Sequence, residues 1–211
     1  HAIMKYPDTN TSVADSDIVP GADVSSNEFT IQASTLTIGL AGTPGSQTFV
    51  KGTKNVDVVG ITFAANQASQ LKITDITLTG YASDDTTTFD EGTDVTDTGV
   101  SVANATTNFR LVEAESGNVI ADNNKISTNN LNTQNTGTIK FSFAGTPWVL
   151  KAGETKTMLV RVNLSNNTAS GTAGDLYAFD IAAVGDVTSL DVDSNTVNPG
   201  NAAVNGGLPP T

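Results

Sequence analysis

One histidine, His1, heads the chain. An N-terminal His offers an amine and an imidazole to a single metal ion, the beginning of a copper chelate. Such a centre needs a second imidazole, and the chain contains none, so the copper reading lacks a ligand. The same count removes Ser-His-Asp catalysis. Cysteine is absent, which excludes a disulfide framework, thiolate metal sites and cysteine nucleophiles together. Gly39, Gly42 and Gly45 lie between strand patterns, without the Lys or following helix that a phosphate-cradling loop requires. The numbering opens on His1 with no charged-then-apolar leader, which reads as a mature or trimmed chain whose signal peptide, if any, is gone.

Carboxylates are the abundant chemistry, with 22 acids in 211 residues. Residues 82–98 gather Asp84, Asp85, Asp90, Glu91, Asp94 and Asp97 in a Thr-rich stretch. Calcium takes six to eight oxygens from carboxylates, carbonyls and water, so these six are the candidate metal ligands; a solvated acidic loop is the competing reading. Asp191-Val192-Asp193-Ser194-Asn195 opens like a calcium loop. Thr196, however, stands where an EF-hand needs Gly, and no Glu follows at the twelfth position. No motif singles out a carboxylate pair for glycoside hydrolysis. Asp75 and Asp180 sit among apolar neighbours and read as outward-facing strand residues. Lys72 and Lys140 are candidates for an internal isopeptide bond only if buried beside an acid, and exposed positions are the simpler reading.

Sequons at Asn10, Asn104, Asn163 and Asn166 are candidate glycosylation sites, though an Asn- and Thr-rich chain generates them readily. The single Trp148, with Tyr6 and Tyr81 in loop contexts, is a thin supply for sugar stacking, and Trp148 reads as core or rim packing.

The formal charge is −12. A nucleic-acid backbone would be repelled, and anionic membrane surfaces are disfavoured by the same sign. No run approaches the ~20 apolar residues of a membrane-spanning helix, so no membrane insertion is expected. Thr, Asn, Ser, Gly and Asp dominate the polar positions, a composition that suits a secreted, cell-surface chain.

The elements that must position these groups are strands, because apolar residues recur with a period of two. Thr35 to Leu40 alternates, and Val56 to Ala65 puts Val59, Ile61 and Phe63 on one face. Leu71 to Thr79 is a strand with a shift near Asp75, since Ile73 and Ile76 differ in parity. Phe109 to Glu113 and Val119 to Ala121 flank the turn Ser116-Gly117-Asn118, a hairpin signal. Ile139, Phe141 and Phe143 share a face, as do Met158, Val160, Val162 and Leu164. Leu176 to Val184 is a last long strand directing Tyr177, Phe179 and Ile181 inward. Many short strands separated by Gly, Asn and Pro turns predict a sandwich or barrel.

Residues 1–34 form an extended N-terminal segment ending in the apolar run Phe29-Thr30-Ile31-Gln32-Ala33, which reads as a strand outside the main domain. The domain itself covers 35–197, and 198–211 reads as a Pro-, Gly- and Asn-rich linker or tail.

Several phrases occur in a telling order. Thr35-Leu36-Thr37-Ile38 precedes a Pro turn, followed by Asn55-Val56-Asp57-Val58-Val59-Gly60-Ile61-Thr62-Phe63 and Leu71-Lys72-Ile73-Thr74-Asp75-Ile76. Phe109-Arg110-Leu111-Val112 comes next, and then Val149-Leu150-Lys151-Ala152-Gly153-Glu154 continuing to Val160. Over residues 35–195 this order resembles the immunoglobulin-like modules repeated in prokaryotic surface-layer and adhesin-type proteins. The resemblance implies an all-β, immunoglobulin-like antiparallel β-sandwich and a structural role without catalytic residues or cofactor. In such modules a final strand follows the stretch that here runs from Asn198. This chain stops without it, yet carries a surplus strand in front. That pairing suggests donor-strand complementation between copies, making the chain its own partner in a filament or surface layer; the competing reading is a piece of a longer repeat protein in which Phe29 to Ala33 packs on its own domain. The alternative is a calcium-dependent adhesin or carbohydrate-binding module that uses the 82–98 loop against surface glycans.

Overall fold

The computed structural model describes residues 5–14, 27–83, 101–131, 136–166 and 174–200. The chain divides into two compact units, His1–Gln32 and Ala33–Thr211. In the first, Lys5 and Ser12 form an antiparallel bridge, closed by Tyr6 N donating to Thr11 O and Asn10 N donating to Tyr6 O, both at 2.9 Å.

The second unit is all-β, as the alternation predicts. In chain order its strands are β1 (Leu36–Leu40), β2 (Val56–Ala65), β3 (Leu71–Ser83), β4 (Thr106–Glu113), β5 (Val119–Ala121) and β6 (Ile126–Asn129). Then come β7 (Thr136–Ser142), β8 (Trp148–Leu150), β9 (Thr155–Leu164), β10 (Leu176–Asp180) and β11 (Val187–Leu190). A single helical turn, α1 (Val102–Ala105), leads into β4. One antiparallel sheet runs β1-β2-β9-β4-β5. The other runs β10-β3-β7-β6, with β8 and β11 also on β3.

Strand β3 organises the second sheet. Its residues 79–81 pair with both β10 and β7, and residues 72–73 with both β11 and β8. Each of those pairs must therefore occupy opposite edges. The parity shift predicted near Asp75 is real. Opposite β11 the register jumps from Asp75–Thr188 to Ile73–Ser189, leaving Thr74 as the extra residue of a bulge. Thr74 is buried, and its hydroxyl donates to Asp75 Oδ2 at 2.9 Å.

The two sheets close on one core. Ile61, Phe63, Met158 and Val160 from the first sheet meet Ile76, Leu78, Ile139 and Phe141 from the second, all essentially inaccessible. Burial of each such side chain contributes about 1.5–3 kcal/mol. Gly80 on β3 is required by close approach: a Cβ there would stand 3.0 Å from Phe179 Cε1 and 3.0 Å from Val102 Cγ1. The room it leaves admits the edge-to-face contact of Phe109 with Phe179, centroids 5.7 Å apart.

One expectation changes. Leu176 to Val184 is shorter as a strand, ending at Asp180, after which a 3₁₀ turn at Val184–Asp186 redirects the chain into β11. The outer edge of β1 is occupied. Pro199 bridges Leu36 in parallel, and Gly200 N donates to Leu36 O at 2.8 Å. Residues 201–211 lie outside the described ones.

Candidate functional site

The expected assembly strand, Phe29-Thr30-Ile31-Gln32-Ala33, carries no strand pairing among the described residues. Phe29 is 83 % and Ile31 88 % exposed. The point at which this segment joins the sandwich is held by Asn66. Its Nδ2 donates to Ala33 O (2.7 Å), while its Oδ1 accepts from Thr35 N (3.2 Å). One amide side chain thus stands in for a stretch of neighbouring backbone.

The sandwich is open along one flank. Strand β5 pairs only with Leu111 and Val112 of β4, so among the described residues Thr106–Arg110 has a strand on the β9 side alone. Strand β6 likewise has β7 on one side and, among the described residues, no strand on the other. Between these two edges lies a cleft of about 250 Å³, floored by Phe109, Leu131, Ile126 and Ala103 and rimmed by Thr107 and Asn129. Local sequence builds the opening. Asn108 takes φ 54°, a left-handed conformation that Asn tolerates, and it lies in the register shift of β4 against β9 between Thr107 and Arg110. The sequence reading did not single out this flank. The available signal was an Asn inside a strand pattern, which marks a bulge.

The best-built polar cluster lies elsewhere, where Glu113 of β4, Lys156 of β9 and Trp148 of β8 converge from both sheets. Lys156 Nζ stands 2.8 Å from Glu113 Oε1, Trp148 Nε1 donates to the same oxygen at 3.0 Å, and Ser116 Oγ donates to Oε2. Lys156 also reaches Val149 O (3.2 Å), and the Trp148 ring packs edge-to-face on Phe63 at 5.1 Å. The hydrogen bonds from Lys156, Ser116 and Trp148 outweigh burial and hold the Glu113 carboxyl down at about 2. A carboxylate so firmly ionised, with both oxygens occupied, is no proton donor near neutrality. It ties the two sheets together and gives the buried indole its acceptor. Trp148 is thus core packing, as its sequence context predicts. Its need for an acceptor was legible; the identity of that acceptor was not.

The six candidate calcium ligands, Asp84, Asp85, Asp90, Glu91, Asp94 and Asp97, lie outside the described residues, as does His1. Among the described residues no group of three or more acidic or His side chains could hold a metal ion. Asp191 spends its carboxylate locally: Oδ1 accepts from Asp193 N and Asn195 N, both at 2.9 Å, and Oδ2 from Asn195 Nδ2 at 3.1 Å. These bonds close the turn that returns Thr196 to Leu190.

Asp75 faces outward as expected and pairs with Lys140 at 3.4 Å. Burial pushes its carboxyl up, but bonds with Ser142 and Thr74 and the Lys140 charge together hold it below its usual range. Lys140 is 43 % exposed at its side chain, so this is a surface ion pair and not a buried isopeptide site. Asp180 corrects the reading: it is buried, 6 % exposed, because β10 packs both faces at its end. Of the sequons, Asn10, Asn104 and Asn166 are exposed, whereas Asn163 is half-buried in β9 with its Oδ1 accepting from Asn55 N at 2.9 Å.

No helix among the described residues is long and apolar enough to cross a membrane. No protein-family model matches the chain, and no curated protein matches it either.

Proposed function

We propose that the chain is a structural subunit of an extracellular filament or surface layer, secreted to the cell surface and assembling with copies of itself. In this reading its immunoglobulin-like sandwich is completed between copies by strand donation, without catalysis or cofactor. The observation that carries it is the exposure of Phe29 and Ile31, at 83 % and 88 %, in a segment with strand-like alternation and no strand pairing among the described residues. Burying each of them would contribute about 1.5–3 kcal/mol. The absence of His and Cys pairs from the sandwich and the commitment of Glu113 to packing favour architecture over chemistry.

Electron microscopy of the purified chain at neutral pH tests this. Ordered filaments or sheets are expected from the full chain, and folded monomers after deletion of residues 1–34. Unchanged assemblies after that deletion, or only dispersed monomers from the full chain, would remove the proposal.

A further inference from the structure

We infer that the cleft between β4 and β6 is the acceptor for residues 28–33 of a second copy. This inference rests on the self-assembly reading and specifies its contact. The outer edge of β1 is already engaged, where Leu36 meets Pro199–Gly200. The flank formed by Thr106–Arg110 and β6 has no strand on its open side among the described residues; the Asn123 amide reaches across it, its Nδ2 donating to Asn108 Oδ1 at 3.2 Å, a contact an incoming strand would displace.

Size, pattern and charge agree with this occupant. The cleft, at about 250 Å³, is smaller than the ~300–1,000 Å³ of ordinary small-molecule sites, and its floor is apolar. Five residues of strand span ~17 Å, so Phe29–Ala33 matches the open side of Thr106–Arg110 in length. Alternation sends Phe29 and Ile31 to one side, where Phe109, Leu131 and Ile126 form the floor. Glu28 falls on the opposite side. Arg110, half-exposed and next to buried Phe109 along β4, likewise falls on the side away from the floor. Its guanidinium bonds the Asn55 amide oxygen, its Nε is buried without an acceptor, and no carboxylate pairs with it among the described residues. In a chain of net charge −12, a cation without a carboxylate is a natural partner for the incoming Glu28. The donated backbone would complete a ladder between the two sheets, as in strand addition generally.

The chain has no native cysteine, so single-cysteine variants of the full chain can report the contact. Thr30→Cys is mixed in one experiment with Thr107→Cys, at the cleft rim, and in another with Leu40→Cys, at the β1 edge. After mild oxidation, disulfide-linked peptides are quantified by mass spectrometry. The 30–107 link is expected to exceed the 30–40 link about tenfold, and Ile31→Ala is expected to weaken self-association about tenfold or more. A dominant 30–40 link, or assembly without a 30–107 link, overturns the assignment of the cleft while leaving self-assembly standing. Absence of any self-association overturns both.

Discussion

Glu113→Gln isolates the electrostatic part of the clamp between the sheets. The amide keeps the shape and an oxygen for Trp148, presents its NH2 to the Ser116 hydroxyl, and removes the charge facing Lys156. The carboxyl titrates at about 2 in the folded chain against an ordinary 4.5. A folded-state value below the unfolded one means stability that is present above about pH 4.5 and lost as pH falls towards about 2. A shift of that size would correspond to ~3 kcal/mol at most. Since the Glu113 and Lys156 side chains retain 13 % and 22 % exposure, solvent screening brings the expected effect to about 1–2 kcal/mol. Urea unfolding followed by circular dichroism, with Trp148 fluorescence as a second probe, measures it in both proteins. The variant should be less stable by that amount near neutrality, with an unchanged slope against urea. More than half of the difference should have disappeared by about pH 3, other carboxylates cancelling between the two proteins. A gap of the same size at both pH values would refute the electrostatic account and assign the loss to repacking. No gap at neutrality would refute the clamp itself.

Gly80→Val places a branched side chain where a Cβ already stands 3.0 Å from Phe179 and Val102, and should cost about 1–3 kcal/mol in thermal or urea unfolding. An unchanged midpoint would mean that β10 and α1 yield freely. Asp191→Ala removes the acceptor for two backbone amides of the turn after β11 and should lower the unfolding midpoint, as other lost local caps do. Calcium should leave the melting temperature difference between that variant and the parent unchanged; a calcium-dependent difference would make Asp191 a ligand instead.

Alternation alone told which side chains of a strand are buried together, because side-chain direction has a period of two wherever the backbone is extended. Val59, Ile61 and Phe63, and likewise Met158, Val160 and Val162, are buried accordingly. The broken parity between Ile73 and Ile76 even located the Thr74 bulge. Gly117, at φ 72°, closes the hairpin its sequence announced. Asp180 shows the limit of such patterns: burial at a strand end depends on what packs above it, which alternation does not encode.

Partnership between strands was beyond the sequence for the same reason. Each strand offers the same backbone groups to any neighbour, so nothing local tells β2 to pair with β9, some hundred residues away. The meeting of Glu113, Trp148 and Lys156 follows from that pairing, as does the cleft between β4 and β6, which exists because β5 stops short. The sequence by itself determined an acidic, cysteine-free, all-β chain with an apolar segment ahead of its domain. Only the tertiary structure decided which edges are occupied and which stand open, because edge occupancy depends on every strand's neighbours at once.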